Sequence, residues 1–462
     1  MDFINEQLID EVLNSPQNRD EGYQREVIAK AKDLKGLKME ETAALLHVTN
    51  PEIIQEMYKA TDEVKEQIYG NRIVMFAPLY LTNKCVNNCL YCGFRVANKE
   101  LKRVTLTIDD VREETLSLLR QGHKRVLLVC GEHPQAANLK FVGEVIDTIY
   151  NTKIRNGEIR RINVNTAPMS VEDFKVLKSF GIGTYQSFQE TYHYDTYAKM
   201  HRSGPKKDYT YRLYTMDRAM EAGIDDVGMG ILFGLYDHRW EVLAMMQHIE
   251  HLENRFDVGP HTISIPRLEP ALNAPAAARP PHAIADEEFK KLVSILRLTV
   301  PYTGIILSTR ERPEMRRQLF RLGVSQISAG SKTSPGGYHK GDLDDHPEVD
   351  QFQVADHRDL DEVIKELCDM GFLPSFCTAC YRKGRTGVDF MDLAKPGLIK
   401  KFCTPNAISS FKEYLLDFAS EETRASGEKA IERDLEGEPD NIRNTTHKLM
   451  NRVEKGERDV YF

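Results

Sequence analysis

The chain has 462 residues, 41% hydrophobic and 29% charged, and 62 basic against 70 acidic side chains give a net charge of −8. That length supports a large core and more than one folding unit, and a mild acidity with no basic stripe argues against a nucleic-acid partner. The N-terminus, Met1-Asp2-Phe3-Ile4-Asn5-Glu6, has no basic region followed by an apolar core, and no run approaches the roughly 18 apolar residues of a membrane span. A cytoplasmic protein with no membrane partner is expected.

Residues 1–70 read as a helical extension: Asn5–Asn14, Tyr23–Leu34, Glu40–His47 and Pro51–Tyr69 carry apolar residues at three- and four-residue spacing. Asn50 before Pro51 is a helix start with proline at the first helical position. From residue 72 short apolar runs alternate with amphipathic stretches. The expected strands are Ile73–Leu81, Arg125–Cys130, Arg161–Thr166, Thr184–Phe188, Asp225–Ile231, Thr262–Pro266, Gly304–Thr309 and Gln326–Ala329. Between them lie helical patterns at Thr107–Gln121, Leu139–Ile154, Val171–Phe180, Tyr209–Ala222, Asp237–Asn254, Asp286–Val300 and Arg312–Leu322. Eight βα repeats in about 260 residues predict an α/β fold, a (β/α)8 TIM-type barrel over residues 71–350. An open, doubly wound sheet is the competing architecture, because periodicity alone does not show closure. Pro270–Ala285 and Ser331–Asp350 read as irregular insertions. Residues 351–462 read as a mainly helical C-terminal domain, with Asp359–Met370, Ala407–Phe418, Glu421–Leu435 and Asn441–Lys455 as its helices.

Of eight cysteines, Cys130 and Cys368 stand alone in apolar segments and read as small buried hydrophobes. The other six form two triplets, which in a large cytosolic chain argues for metal rather than a disulfide framework. Cys85, Cys89 and Cys92 are spaced C-x3-C-x2-C on the loop after the first strand, the end of a barrel where chemistry resides. Asn87, Asn88 and Gly93 let that loop turn tightly. Three thiolates suit a cubane iron–sulfur cluster with one iron open to another ligand, while a zinc knuckle would need a distant fourth ligand. Cys377 and Cys380 are spaced C-x2-C, and 22 residues separate Cys380 from Cys403. From the residues alone this second triplet fits either a cluster or a structural zinc completed by a histidine.

The first triplet, with aromatic Tyr91 just before its third cysteine, resembles the radical S-adenosylmethionine superfamily. The resemblance implies a [4Fe-4S] cluster whose open iron binds S-adenosylmethionine and releases a 5′-deoxyadenosyl radical on reduction. Gly131-Glu132 resembles the superfamily's GE motif, which assigns Glu132 to the methionine ammonium. Glu190 matches the position that holds the ribose hydroxyls, and Arg212 the arginine that pairs with the methionine carboxylate. The bland alternatives are a surface glutamate and a helix-face arginine.

A C-terminal C-x2-C-x22-C behind such a barrel is similar to the HydG family, the tyrosine lyases of [FeFe]-hydrogenase maturation. Asn163-Val164-Asn165, Phe188 to His193, Gly259 to Ser264 and Leu307 to Glu311 strengthen the likeness. The related lyases of thiamin synthesis, the ThiH-like 2-iminoacetate synthases, share the barrel motifs without the second triplet. The resemblance implies cleavage of L-tyrosine to p-cresol and dehydroglycine. Conversion of dehydroglycine to carbon monoxide and cyanide would follow on a second [4Fe-4S] cluster at Cys377, Cys380 and Cys403. That cluster is expected to carry a labile fifth iron bridged by L-cysteine and held by His261. Without the family match, His261 would be a joint residue making one backbone hydrogen bond. Because His261 precedes the sixth strand, the two clusters should occupy opposite mouths of the barrel, roughly 20 Å or more apart, with an internal channel between them. Arg310 is the candidate for the tyrosine carboxylate, assisted by Ser308 or Thr309, with Arg312 as the alternative. A ferredoxin- or flavodoxin-type electron donor and a GTPase scaffold maturase are the implied partners. A non-catalytic iron–sulfur scaffold is the remaining rival.

Overall fold

A computed structural model of the chain describes residues 3–339 and 347–462. Its organising strand is β1 (Arg72–Thr82), apolar almost throughout because both of its faces are covered. The strands that follow are β2 (Arg125–Cys130), β3 (Arg161–Asn165), β4 (Tyr185–Gln186), β5 (Val227–Gly230), β6 (Thr262–Ser264), β7 (Gly304–Leu307) and β8 (Gln326–Ser328). Each pairs in parallel with its successor, and β8 pairs with β1 through Val74–Gln326, Met75–Ile327 and Phe76–Ser328. That last pairing closes the sheet, so the chain forms a (β/α)8 barrel and not an open doubly wound sheet. All eight strands fall where the apolar runs predict them: β1 is a residue longer at each end, β2 matches its expected bounds, and the other six are trimmed by a residue or two.

A ninth strand was not legible in the sequence. β9 (Leu373–Ser375) pairs in parallel with Arg72, Ile73 and Val74. Val74 therefore bonds Gln326 along one edge and Ser375 along the other. β9 sits below β2, whose pairing with β1 begins only at Ala77.

The N-terminal helices start where side chains cap them: Asn5 accepts from Leu8 N–H, Asp20 from Tyr23 N–H, and Asn50 from Glu52 N–H with Pro51 following. The expected helix over 209–222 breaks into Tyr209–Leu213 and Thr215–Glu221, and a further short helix, Tyr194–Met200, is added. The expected helix over 139–154 stops at Asn151, where a small hairpin begins. Pro270–Ala285 is irregular apart from one turn of helix, Pro275–Ala278. Of the Ser331–Asp350 insertion, residues 340–346 lie outside the described residues and the rest forms turns.

After β9 come two short helices, Ala379–Arg382 and Gly387–Ala394, and then Lys400–Asp417, which begins seven residues earlier than its apolar pattern suggests and runs through Pro405. This helix is fixed to the floor of the barrel by Glu413, whose Oε2 accepts from Lys124 at 2.9 Å and Arg160 at 2.8 Å. All three side chains are at most 3% exposed. Among the described residues no helix is long and apolar enough to cross a membrane.

Candidate active site

At the C-terminal ends of the strands, Cys85, Cys89 and Cys92 line one cavity of about 220 Å3 together with Tyr91, Glu132, Glu190, Arg212 and Arg310. The cysteine loop is clasped by the residues after helix Tyr194–Met200. Leu90 N–H donates to Met200 O at 3.0 Å and Asn88 N–H to Ser203 O at 3.0 Å. Gly131 has to be glycine, since a Cβ there would stand 2.4 Å from the Lys84 carbonyl oxygen. Tyr91 is oriented by its hydroxyl, which lies 2.8 Å from His201 Nε2, while His201 Nδ1 is 2.9 Å from Tyr197 O. A carbonyl only accepts, so Nδ1 carries the proton and Nε2 accepts from Tyr91. Burial drives the His201 pKa well below its ordinary value, which keeps the ring neutral.

Glu132 receives a hydrogen bond from Asn87 Nδ2 at 2.5 Å. Glu190 is in the left-handed region, φ +72°, a strain that a non-glycine residue bears where its surroundings fix it. Lys206 Nζ lies 2.6 Å and Arg212 Nη2 3.8 Å from its carboxylate. Burial works to raise the Glu190 pKa, but Lys206 and Arg212 outweigh it and hold the group below the usual carboxylate range. The following backbone is gripped by buried Glu241, which accepts from the Thr191 hydroxyl and, at 2.8 Å, from Tyr192 N–H. Arg310 is half-buried in the cavity with its guanidinium 3.3 Å from the centre of the Phe352 ring. Ser308 and Thr309 line the same cavity. Arg312 stands outside it, 64% exposed and paired with Asp286. Phe76, Tyr80, Phe188 and Phe352 supply an aromatic wall that the sequence could not locate.

At the opposite mouth a smaller cavity of about 50 Å3 gathers Cys377, Cys380, Cys403 and His261 with Arg72, Arg125 and Tyr381. Cys377 follows β9, Cys380 lies in the turn Ala379–Arg382, and Cys403 opens the Glu413-anchored helix. His261 is fixed just before β6, its N–H donating to Val227 O at 2.9 Å and its carbonyl accepting from Gly304 N–H at 2.9 Å. Its Nδ1 lies 3.2 Å from Asp226 Oδ1, within ion-pair reach although off the angle of a good hydrogen bond. Such a carboxylate behind one nitrogen is the usual support for a histidine that ligates through the other. Burial lowers the His261 pKa, so the ring is a neutral donor. Arg161 stacks on Tyr381 at 3.2 Å, and the Nε atoms of Arg72, Arg125 and Arg161 are buried without a hydrogen-bond partner among the described residues.

The two cavities share no lining residue, yet they meet across a single inward step: Val74 lines the lower and Phe76 the upper, as do Arg125 and Leu127, and Gln326 and Ser328. Along β1 the nearest lining residues of the two cavities, Val74 and Phe76, are separated by ~7 Å of strand rise and the farthest, Arg72 and Tyr80, by ~26 Å. One side of the waist is polar and spare, with Gln186 Nε2 3.5 Å from Thr262 Oγ1 and glycines at 228 and 230 of β5, while Phe76, Leu127 and Ile306 pack together on the other.

Residues 79–249 match the Radical SAM superfamily, and residues 264–373 match the Biotin and Thiamin Synthesis associated domain. The 2-iminoacetate synthase of Salmonella typhimurium is 33% identical over 73% of this chain and 86% of its own length. The [FeFe]-hydrogenase maturase HydG of Carboxydothermus hydrogenoformans is similar in structure, with 41% identity, TM-score 0.83, and 96% and 97% of the two chains covered. A second crystal structure, of HydG as a maturase of the [FeFe]-hydrogenase, is 51% identical over 100% of both chains with TM-score 0.96. The chain belongs to the HydG family. It is therefore a radical S-adenosylmethionine protein, and that domain implies a [4Fe-4S] cluster and S-adenosylmethionine.

The residues of this HydG-family chain fit such a group at its upper mouth. Burial pushes the Cys89 thiol up to about 12 and Cys92 up to about 11, with neighbouring thiols adding to the effect, so the triplet ionises only against a strong positive charge such as iron. Lys206, Asp226, Tyr381 and Gln351 sit at these sites without any motif to announce them. Arg72, Arg125 and Arg161 did leave a signal: each stands at the first residue of a strand, where an inward charge must face the lower mouth.

Proposed function

We propose that the chain is a lyase that cleaves the Cα–Cβ bond of L-tyrosine to p-cresol and dehydroglycine, and then converts dehydroglycine to carbon monoxide and cyanide with loss of water. Cys85, Cys89 and Cys92 would hold the cluster, which with S-adenosylmethionine bound would supply the 5′-deoxyadenosyl radical that starts the cleavage. Glu132, Glu190, Arg212 and Tyr91 hold S-adenosylmethionine. Arg310 takes the tyrosine carboxylate, and the aromatic wall takes the ring. The observation that carries the reading is the gathering of Cys377, Cys380, Cys403 and His261 at the far mouth, one inward step from the first cavity. These four residues would hold a second [4Fe-4S] cluster and, with L-cysteine, the labile iron that leaves as cargo for the hydrogenase active site. Arg72, Arg125 and Arg161 turn positive faces toward that mouth, which suits an incoming small carboxylate.

The rival is a 2-iminoacetate synthase that stops at dehydroglycine, favoured by the Salmonella relative. Anaerobically reconstituted protein given tyrosine, S-adenosylmethionine and a reductant should yield p-cresol and carbon monoxide together. p-Cresol without carbon monoxide would favour the rival, and neither product would leave a non-catalytic scaffold.

A further inference from the structure

The segment 347–356 returns across the upper mouth and is tied to the cysteine loop. Asn83 Nδ2 donates to Val349 O at 3.2 Å, and Gly93 N–H to Gln351 O at 3.0 Å. Contact is so close that a Cβ on Gly93 would lie 2.7 Å from the Asp350 carbonyl oxygen. Gln351 is pinned at both backbone groups, since its own N–H donates to Thr333 O at 3.1 Å. Its side chain is pinned as well: Tyr80 donates its hydroxyl to Oε1 at 2.8 Å, which turns the amide nitrogen toward Cys92 Sγ, 3.7 Å away. Within the first triplet this donor is unusual. Cys85 is approached by the backbone N–H groups of Asn87 and Glu132, whereas Cys92 has the Phe94 N–H and, in addition, the Gln351 amide.

We propose that Gln351 is a positioning residue for the radical-generating cluster, one that hydrogen-bonds the Cys92 thiolate and raises the cluster's reduction potential, with Tyr80 holding its amide in register. The inference rests on the reading of Cys85, Cys89 and Cys92 as cluster ligands. Reduction adds an electron whose charge is spread over the cluster and its thiolates. A donor to one of those sulfurs stabilises the reduced state more than the oxidised one. The β1 side chain that orients the donor lies on the wall of the substrate cavity, so the cluster and the cavity share one hydrogen-bonded chain.

The test compares wild type, Gln351→Leu, Gln351→Glu and Tyr80→Phe as full-length, anaerobically reconstituted protein. The upper cluster is identified by the change in its electron paramagnetic resonance signal on adding S-adenosylmethionine, and its midpoint potential is titrated. Gln351→Leu should lower the reduced-to-oxidised ratio at fixed potential about tenfold, about 59 mV for one electron. Gln351→Glu should lower it at least as far, and Tyr80→Phe should fall between wild type and Gln351→Leu. In the metal-free chain, Gln351→Leu should slow alkylation of Cys92 at fixed pH, because the thiolate loses a donor. An intact cluster with unchanged potential in Gln351→Leu, or a Cys92 alkylation rate equal to wild type, would overturn the proposal. Failure of wild type to assemble any cluster would instead refute the ligand reading, and the alkylation rate would then decide the Gln351 contact alone.

Discussion

Replacing Glu413 with alanine is expected to loosen the second site from the barrel while leaving the first in place. One carboxylate oxygen accepts from both Lys124 and Arg160, and all three groups are shut off from water. Removing one member of a buried ion pair typically costs about 3–5 kcal/mol, because the partner stays behind uncompensated. The second cation does not double that cost here. Burial already disfavours the charged form of Lys124, and Arg160 keeps Glu158 at 3.3 Å and Asp459 at 3.4 Å. The loss falls on helix Lys400–Asp417, which carries Cys403. At about 1.4 kcal/mol per factor of ten, its open form should become roughly a hundred- to a few thousandfold more populated. Hydrogen exchange resolved by segment reads this directly: amides of 400–417 should exchange faster by that factor in Glu413→Ala, while those of β1 change far less. Glu413→Gln, which keeps an acceptor, should fall between. Exchange in 400–417 within tenfold of wild type would show that the triad does not hold the helix.

Cys403→Ala should abolish carbon monoxide formation while p-cresol formation persists, measured by haemoglobin binding and chromatography on the same sample. Arg310→Lys should raise KM for tyrosine about ten- to a hundredfold with a smaller change in kcat, since a point charge cannot grip a carboxylate in two places; steady-state p-cresol kinetics decides. Burial raises Glu241 from 4.5 to about 8, so the folded chain binds a proton there that the unfolded chain has released. Stability from that proton is complete below about pH 4.5 and is lost as pH rises toward 8, by at most about 1.4 kcal/mol per unit. The melting temperature of Glu241→Gln should therefore gain on wild type from pH 5 to pH 8, and a constant gap would contradict the shift.

The barrel was legible because parallel strands covered on both faces read as apolar runs punctuated by glycine, from Ile73–Leu81 through Gln326–Ala329. Closure was not, because it depends on three cross-strand pairs between β8 and β1 that no local pattern encodes. The cysteines announced themselves by spacing, and the residue types that resemble known motifs converged on the two cavities. Lys206, Gln351 and Asp226 stayed hidden because a lone polar residue in a loop looks the same whether it faces solvent or a buried thiol. β9 was missed for a related reason: Leu373-Pro374-Ser375 is three residues long and contains a proline, which reads as a turn.

β1 reaches both mouths, with Tyr80 in the upper cavity and Arg72 in the lower. It acts as a ruler: the separation of the two chemistries is set by the rise of one extended backbone and cannot stretch or slide. Inserting a single residue between Val74 and Pro78 would turn every inward side chain of one half outward, and so blind one mouth to the other. The same strand also has an exposed flank in waiting. Arg72–Val74 bond to β9 along one edge, and a chain cut before Leu373 would present those amides and carbonyls bare, an adhesive border inviting a strand from another molecule.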